Sequence, residues 1–272
     1  MAAKGDDEAL NETMDGLILA AGLGSRLGGR EPSKPLAQLH GVSLLKIAVR
    51  QLAGVGINRI CVATGFRSDQ IKAALPRIAR AAGVEVIARD VPNFTRPNGH
   101  SVLAGARDFA GEFLLVMADH VLPRAILQKL VDTPLGEFDV RLAIDRNIRG
   151  PHVDPEDATW VALGANGAIA GIGKDLERFD AVDCGAFRAS PPLLAAIEAA
   201  IAAGRPGSLT DGMRGLAAQG RAGTIDIDGA WWIDVDDPAM LELARRNVRA
   251  KLPEIFGPAA EQARGWQWAE AG

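Results

Sequence analysis

Leu17-Ile-Leu-Ala-Ala-Gly-Leu-Gly-Ser-Arg-Leu-Gly-Gly-Arg-Glu-Pro-Ser-Lys-Pro-Leu36 carries the fold assignment of this chain. An apolar run of strand character ends at Gly22 and Gly24, where missing side chains let backbone N–H groups approach an anion. Arg26 and Lys34 follow the same loop and can neutralise a triphosphate. Two other glycine loops do not fit. The dinucleotide fingerprint wants a third glycine where Leu27 stands, and the P-loop wants Gly-Lys-Ser/Thr where Gly29-Arg30-Glu31 stands. A ligand-free glycine turn would leave the Arg26 and Lys34 pair without a reason, although Lys34 alone, before a proline, also reads as a solvated loop lysine.

Outward from this loop, short apolar runs at residues 16–20, 59–63, 84–88 and 113–118 alternate with helical patterns at 44–52, 68–82 and 101–109. Such alternation predicts an α/β fold with a mostly parallel sheet flanked by helices. After Asp119 the pattern changes to strands at 140–144, 159–163, 168–172 and 181–187, with Asn166-Gly167 as a hairpin signal. These predict an antiparallel insertion, suited to one wall of a substrate pocket. A helix over 191–203, a strand over 224–227 and a helix over 238–248 complete the pattern. Residues 15–272 are expected to form one domain behind a loose, acidic N-terminal tail, 1–14.

Composition narrows the function classes. The 272 residues are 48% hydrophobic, enough for a full core, and 30 basic against 34 acidic residues leave a net charge of -4, which draws the protein to neither nucleic acid nor anionic lipid. Cys61 and Cys184 lie far apart among apolar or small residues, as buried reduced thiols do, so the cytoplasm is the expected compartment. The N-terminus does not resemble a signal peptide, and the longest apolar stretch, 193–203, is broken by Glu198, so no membrane insertion is expected. Trp266 and Trp268 are expected to pack on the domain or on a twin subunit in a homodimer.

Carboxylates stand where an open α/β sheet binds ligands. The run 113–118 ends in Asp119-His120, at the carboxyl end of a parallel strand; Asp119 reads as a metal ligand, or alternatively as a cap for the helix around Ile126. In Trp231-Trp-Ile-Asp-Val-Asp-Asp-Pro238, Asp234 and Asp236 share one face of an extended segment. Magnesium favours a few carboxylates plus phosphates and water, so Asp119, Asp234 and Asp236 make a plausible open Mg2+ site. Lys174, after a glycine, and Asp183, in an otherwise apolar strand, break local rules as functional residues often do. Asn98 and Ser101 offer hydrogen bonds beside Gly99, or Ser101 simply caps a helix.

Leu19-Ala-Ala-Gly-Leu-Gly-Ser-Arg-Leu27 followed by Lys34-Pro35-Leu36 resembles the opening of the nucleotidyltransferases that activate sugar phosphates, phosphocholine and inositol phosphate. The resemblance extends, more loosely, over residues 15–250. It implies a Rossmann-like nucleotide-diphospho-sugar transferase fold. It also implies nucleotide binding by Leu19, Ala20, Ala21, Gly22, Gly24 and Ser25, with Asn98, Gly99 and Ser101 beside the base. Arg26, Lys34 and Lys174 would be catalytic, and Lys174, Asp183 and His120 would hold the acceptor. Lys174, Asp183, Asp119-His120 and Asp145-Arg146 together look most like the inositol-1-phosphate cytidylyltransferases, with Cys184 in place of a threonine and Ala118 in place of a glycine. The implied reaction is magnesium-dependent transfer of CMP from CTP to inositol 1-phosphate, with release of pyrophosphate. A sugar 1-phosphate with UTP or GTP, phosphocholine or aminoethylphosphonate with CTP, and a non-catalytic nucleotide-sensing module are the alternatives. A separate membrane-bound CDP-alcohol phosphotransferase would take the product.

Overall fold

The first apolar run becomes β1 (Asp15–Ala20), whose side chains are buried on both faces of a nine-stranded sheet. The computed structural model describes residues 14–27 and 33–257; the expectations for the tail before Met14, for Gly29-Arg30-Glu31 and for Trp266 and Trp268 lie outside them. After β1 come a small hairpin, β2 (Gln38–Leu39) and β3 (Val42–Ser43), then α1 (Leu44–Gly54), β4 (Arg59–Thr64), α2 (Ser68–Ala82), β5 (Glu85–Asp90), α3 (Gly99–Ala106) and β6 (Phe113–Met117). β7 (His120–Val121), α4 (Arg124–Asp132), β8 (Val140–Asp145), β9 (Trp160–Leu163), β10 (Ile169–Gly173) and β11 (Ala181–Ala189) follow. The chain continues through α5 (Pro192–Ala202), α6 (Leu209–Ala217), β12 (Ala222–Asp226), β13 (Ile233–Asp234), α7 (Pro238–Lys251) and α8 (Pro253–Phe256).

β1 pairs in parallel with β4 and β6, and β4 with β5. Alternation along β1 sends Ile18 and Ala20 to the face covered by α1, α2 and α4, while Leu17 and Leu19 meet Val102, Leu193 and Met213 of α3, α5 and α6. A third cluster packs α7 and α8 on the outer side of α1, through Val248, Ile255, Leu44 and Ile47.

β11 joins the parallel half to the antiparallel one. Its second half lies between β6 and β8, and its first half pairs with β9. From Asp183 to Phe187 it takes four steps while β8 takes two, from Ile144 to Leu142, a bulge that bends the strand away from its neighbour. Asn166 and Gly167 both adopt positive φ in the turn joining β9 to β10, as the hairpin signal implies.

Several boundaries move. β5 runs to Asp90 rather than ending at residue 88, in parallel register with β4 as far as Thr64↔Asp90. α3 starts at Gly99 and stops at Ala106 instead of spanning 101–109, and Gly99 is wedged against the chain before α6, where a Cβ would lie 2.3 Å from the Gly207 carbonyl oxygen. Ser101 is therefore buried inside the helix and is not its cap. α6, a capping-box helix opened by Ser208 and Asp211, is an element that the sequence pattern did not single out.

Candidate active site

The carboxylates meet because of one short ribbon. β13 pairs antiparallel with β7, with Asp234 opposite His120 and Ile233 opposite Val121, and the Val235 N–H donates to the Asp119 carbonyl at 3.0 Å. Asp119, at the carboxyl end of β6, and the alternating pair Asp234 and Asp236 thus face one another across a seam. Asp119 is not a helix cap: the residue preceding α4 is Pro123, and the Asp119 carboxylate is bonded elsewhere.

Lys34 fills the middle of the seam. Its turn, Lys34–Leu36, is anchored by buried Pro35, and its stem lies so close to Gly24 that a Cβ on that residue would sit 2.6 Å from Lys34 Cβ. Lys34 Nζ donates to Asp119 Oδ2 at 2.6 Å and to Asp236 Oδ1, with only 8% of the side chain exposed. Burial opposes the Lys34 charge, but Asp119, Asp234 and Asp236 overcome it and hold the ammonium well above its usual range. Burial likewise opposes the Asp119 charge, yet Lys34 and the His120 hydrogen bond hold that carboxyl far below its usual range.

His120 is fixed from three sides. Its Nδ1 lies 3.0 Å from Asp119 Oδ1 and 3.6 Å from Asp234 Oδ1, and its ring stacks on Trp232 at 5.9 Å. Gly185, at φ 72° in the β11 bulge, leaves the room it needs, since a Cβ there would meet the His120 ring at 2.4 Å. Burial lowers the affinity of His120 for its proton, but Asp234 and Asp119 reverse this and raise it to about 9. Trp232 is held in turn: its Nε1 donates to buried Asp145 at 2.9 Å, and Asp145 also meets His152 Nε2 at 3.1 Å.

A divalent cation fits these residues. Asp234 Oδ1 is buried without a hydrogen-bond partner, and burial, with repulsion from Asp119 and Asp236, raises that carboxyl to about 7 against the attraction of His120 and Lys34. Ligand atoms of Asp119, His120 and Asp234, and separately of Asp157, Asp234 and Asp236, lie within 4.8 Å of one another. The oxygen-rich donor set suits magnesium.

Two cavities meet here. One, of ≈ 350 Å³, is walled by Leu19, Ala20, Gly22, Gly24 and Lys34 of the glycine loop together with Phe94 and Thr95. The other, of ≈ 340 Å³, lies under the antiparallel half and takes in Lys174, Asp183, Asn98, His120, Asp234 and His152. Arg26, Asp119 and Asp236 line both. In the second cavity Asp183 accepts from the Gly185 N–H at 2.7 Å, and burial raises its carboxyl to about 6.

Other sequence candidates are placed differently. Asn98 faces the second cavity, its Oδ1 accepting from the Leu209 N–H at 2.9 Å; Gly99 and Ser101 serve packing. Ala21 is buried, its carbonyl accepting from the Phe66 N–H at 3.0 Å, and Ser25 begins the turn Ser25–Leu27. Phe94 and Thr95 on the glycine-loop cavity, and Asp157, which binds Arg26 and Lys174, carry no spacing signal that would have found them.

A parallel sheet with a glycine loop after its first strand, and carboxylates gathered at strand ends between two cavities, defines a nucleotide-handling transferase class. Residues 16–207 match the MobA-like NTP transferase domain, and the chain belongs to that family. It is 34% identical over 239 residues to a "Bifunctional IPC transferase and DIPP synthase" of Rubrobacter xylanophilus, covering 87% of this chain and 52% of that protein. A "CMP-5'-(3-aminopropyl)phosphonate synthase" of Streptomyces rubellomurinus is 28% identical, with 91% of this chain and 40% of that protein covered. The chain spans about half the length of the curated relatives it matches. In fold it is similar to the inositol-1-phosphate CTP transferase from T. maritima, with TM-score 0.75 and 23% identity, over 89% of this chain and 97% of that one. Among the described residues no helix is long and apolar enough to cross a membrane.

Proposed function

We propose that this protein is a magnesium-dependent cytoplasmic cytidylyltransferase that joins CMP from CTP to inositol 1-phosphate and releases pyrophosphate. The observation that carries this reading is the pair of cavities sharing Arg26, Asp119 and Asp236: a two-substrate site whose reacting groups meet at a cluster of acids and bases. The glycine-loop cavity takes the nucleotide, its backbone and Lys34 facing the triphosphate. The second cavity takes the acceptor, with Lys174 toward its phosphate and Asp183 toward its hydroxyls. The two curated relatives, one named for IPC transfer and one for a CMP-phosphonate, support cytidylyl transfer to a phosphate or phosphonate oxygen.

The acceptor phosphate oxygen attacks the α-phosphorus in line, and the bond from that phosphorus to the β-phosphate bridging oxygen breaks. No general base is required, because a phosphate monoester is largely ionised near neutral pH; the protein must position two polyanions and offset their repulsion. Asp119, Asp234 and Asp236 would hold magnesium, with Asp234 common to the two clusters of close ligand atoms, and magnesium when bound would supply charge neutralisation between the two substrates. Lys34 and Arg26 screen the α-phosphate, and Lys174 orients the acceptor. A quaternary ammonium acceptor is disfavoured: Trp232 is occupied by its stack on His120, and Phe187 is buried, which leaves no aromatic cage among the described residues that line the cavity. We take the consumer of the product to be a CDP-alcohol phosphotransferase.

The test is pyrophosphate release with magnesium and each of the four common ribonucleoside triphosphates against inositol 1-phosphate, aminoethylphosphonate, phosphocholine and sugar 1-phosphates. Release with CTP and inositol 1-phosphate above all other pairs is expected. A different active pair would replace the substrates and keep the reaction, and silence from folded protein would overturn both.

A further inference from the structure

The cations of the site are already paired: Arg26 with Asp157 and Asp236, and Lys174 with Asp157. Asp119, Asp234 and Asp236 are the acids proposed above to hold the metal, and ligand atoms of Asp157 lie within 4.8 Å of those of Asp234 and Asp236. Asp157, on the loop between β8 and β9, is a fourth, and it lies between the two cations nearest the acceptor cavity. Arg26 Nη2 donates to Asp157 Oδ2 at 2.7 Å, and Lys174 Nζ donates to Asp157 Oδ1. One carboxylate thus joins a residue of the glycine loop to a residue of the antiparallel wall, 131 positions from the first and 17 from the second. Two cations converging on one small anion have the geometry of an oxyanion subsite. Side-chain exposures of 53% for Arg26, 59% for Lys174 and 24% for Asp157 put these ion pairs at the cavity mouth, where partners exchange readily.

The loop carrying Asp157 is secured beside it. His152 is held by Asp145 behind the cavity and packs edge-on against Trp232 at 5.3 Å, whereas the Asp157 carboxylate meets Arg26, Lys174 and the neighbouring Asp236 carboxyl. An incoming acceptor meets those same two cations, which it cannot reach fully while the carboxylate occupies them. We propose that Asp157 is a resident stand-in for the acceptor's phosphate: it occupies the subsite between Arg26 and Lys174 and is displaced on binding. It thereby makes the site selective for dianionic oxyanions, phosphate or phosphonate, over singly charged groups. A monoanion offers the cations no more than the carboxylate already gives, while a dianion gains on both. This inference rests on the acceptor placement proposed above and adds the internal competitor that sets its selectivity.

The test needs no turnover, so its failure is separable from failure of the proposed reaction. Binding of inorganic phosphate to the full chain is measured by calorimetry without nucleotide and with a chelator present, beside methyl sulfate as a monoanion of similar shape. Asp157→Asn, confirmed folded by its thermal transition, is expected to bind phosphate about 5- to 10-fold more tightly than the parent and to gain measurable methyl sulfate binding, a change of about 1 kcal/mol. Asp157→Glu should stay near the parent, and Lys174→Ala in the Asp157→Asn background should abolish the gain. Equal or weaker phosphate binding by folded Asp157→Asn, or a gain that survives loss of Lys174, overturns the proposal.

Discussion

The two sides of the site are built by different means. On the side proposed to take the nucleotide, Lys34 is 8% exposed, clamped between Asp119 and Asp236 and pressed against Gly24, beside the carboxyl ends of β1 and β6 in the middle of the sheet. On the side proposed to take the acceptor, Lys174 is 59% exposed, Asp157 comes from a loop, and Asp183 and Gly185 stand at the start and in the middle of the β11 bulge. The first is preorganised by packing; the second is assembled by hydrogen bonds and exchangeable ion pairs. Such a division suits a reaction whose common part is the triphosphate and whose variable part is the acceptor.

The strongest way to break this comparison is to remove what both sides share. Stripping divalent cations with a chelator should abolish pyrophosphate release, and added magnesium should restore it; activity that persists would remove the metal assignment. Lys34→Ala should then lower kcat by roughly 100- to 1,000-fold with the fold retained by circular dichroism, since it deletes a preorganised charge in a water-poor setting. Lys174→Ala should instead raise the acceptor KM more than it lowers kcat, and the reverse pattern in steady-state kinetics would contradict the division.

The bulge gives an effect of intermediate size. Gly185→Ala adds a Cβ 2.4 Å from the His120 ring at a positive φ, and should cost roughly 2 kcal/mol, lowering Tm by about 5 °C. A thermal melt like the parent's would mean that His120 moves freely. The smallest effect concerns Asp183. Burial raises its folded-state carboxyl to about 6 from 3.8, so its charge is disfavoured in the fold. Stability is thus lost as pH rises through that window and stays lower above it. Asp183→Asn should match the parent in denaturant titrations near pH 4 and exceed it near pH 8 by about 1 kcal/mol, a value discounted for the solvent reaching this half-buried group. Equal stability at both would show that the carboxyl is not strained.

What the sequence made legible follows the same division. The glycine loop, Lys34, Asp119 and the alternating pair Asp234 and Asp236 were readable because strand ends and period-two alternation are local properties, and the β7–β13 ribbon converts them into a cluster. The Asn166-Gly167 turn was readable for the same reason. Asn98, expected beside the base, lines the cavity that also holds Lys174 and Asp183, and its bond to the Leu209 N–H is a long-range contact without periodic signature. Asp157 was invisible: an acid in a loop after Asp154-Pro155 looks solvated until Arg26, distant in sequence, is seen beside it. Asp145, Trp232 and His152 were likewise assembled only by the tertiary fold.

The central claim is that chemistry occurs at the α-phosphorus, where the two cavities meet. CTP labelled at the α-phosphorus and, separately, at the γ-phosphorus should be incubated with magnesium, inositol 1-phosphate and the protein, and the products separated. The account predicts α-label in a new phosphodiester-linked product and γ-label wholly in pyrophosphate. Label from the γ-position in the acceptor or in free phosphate would place cleavage between the β- and γ-phosphates and contradict the account.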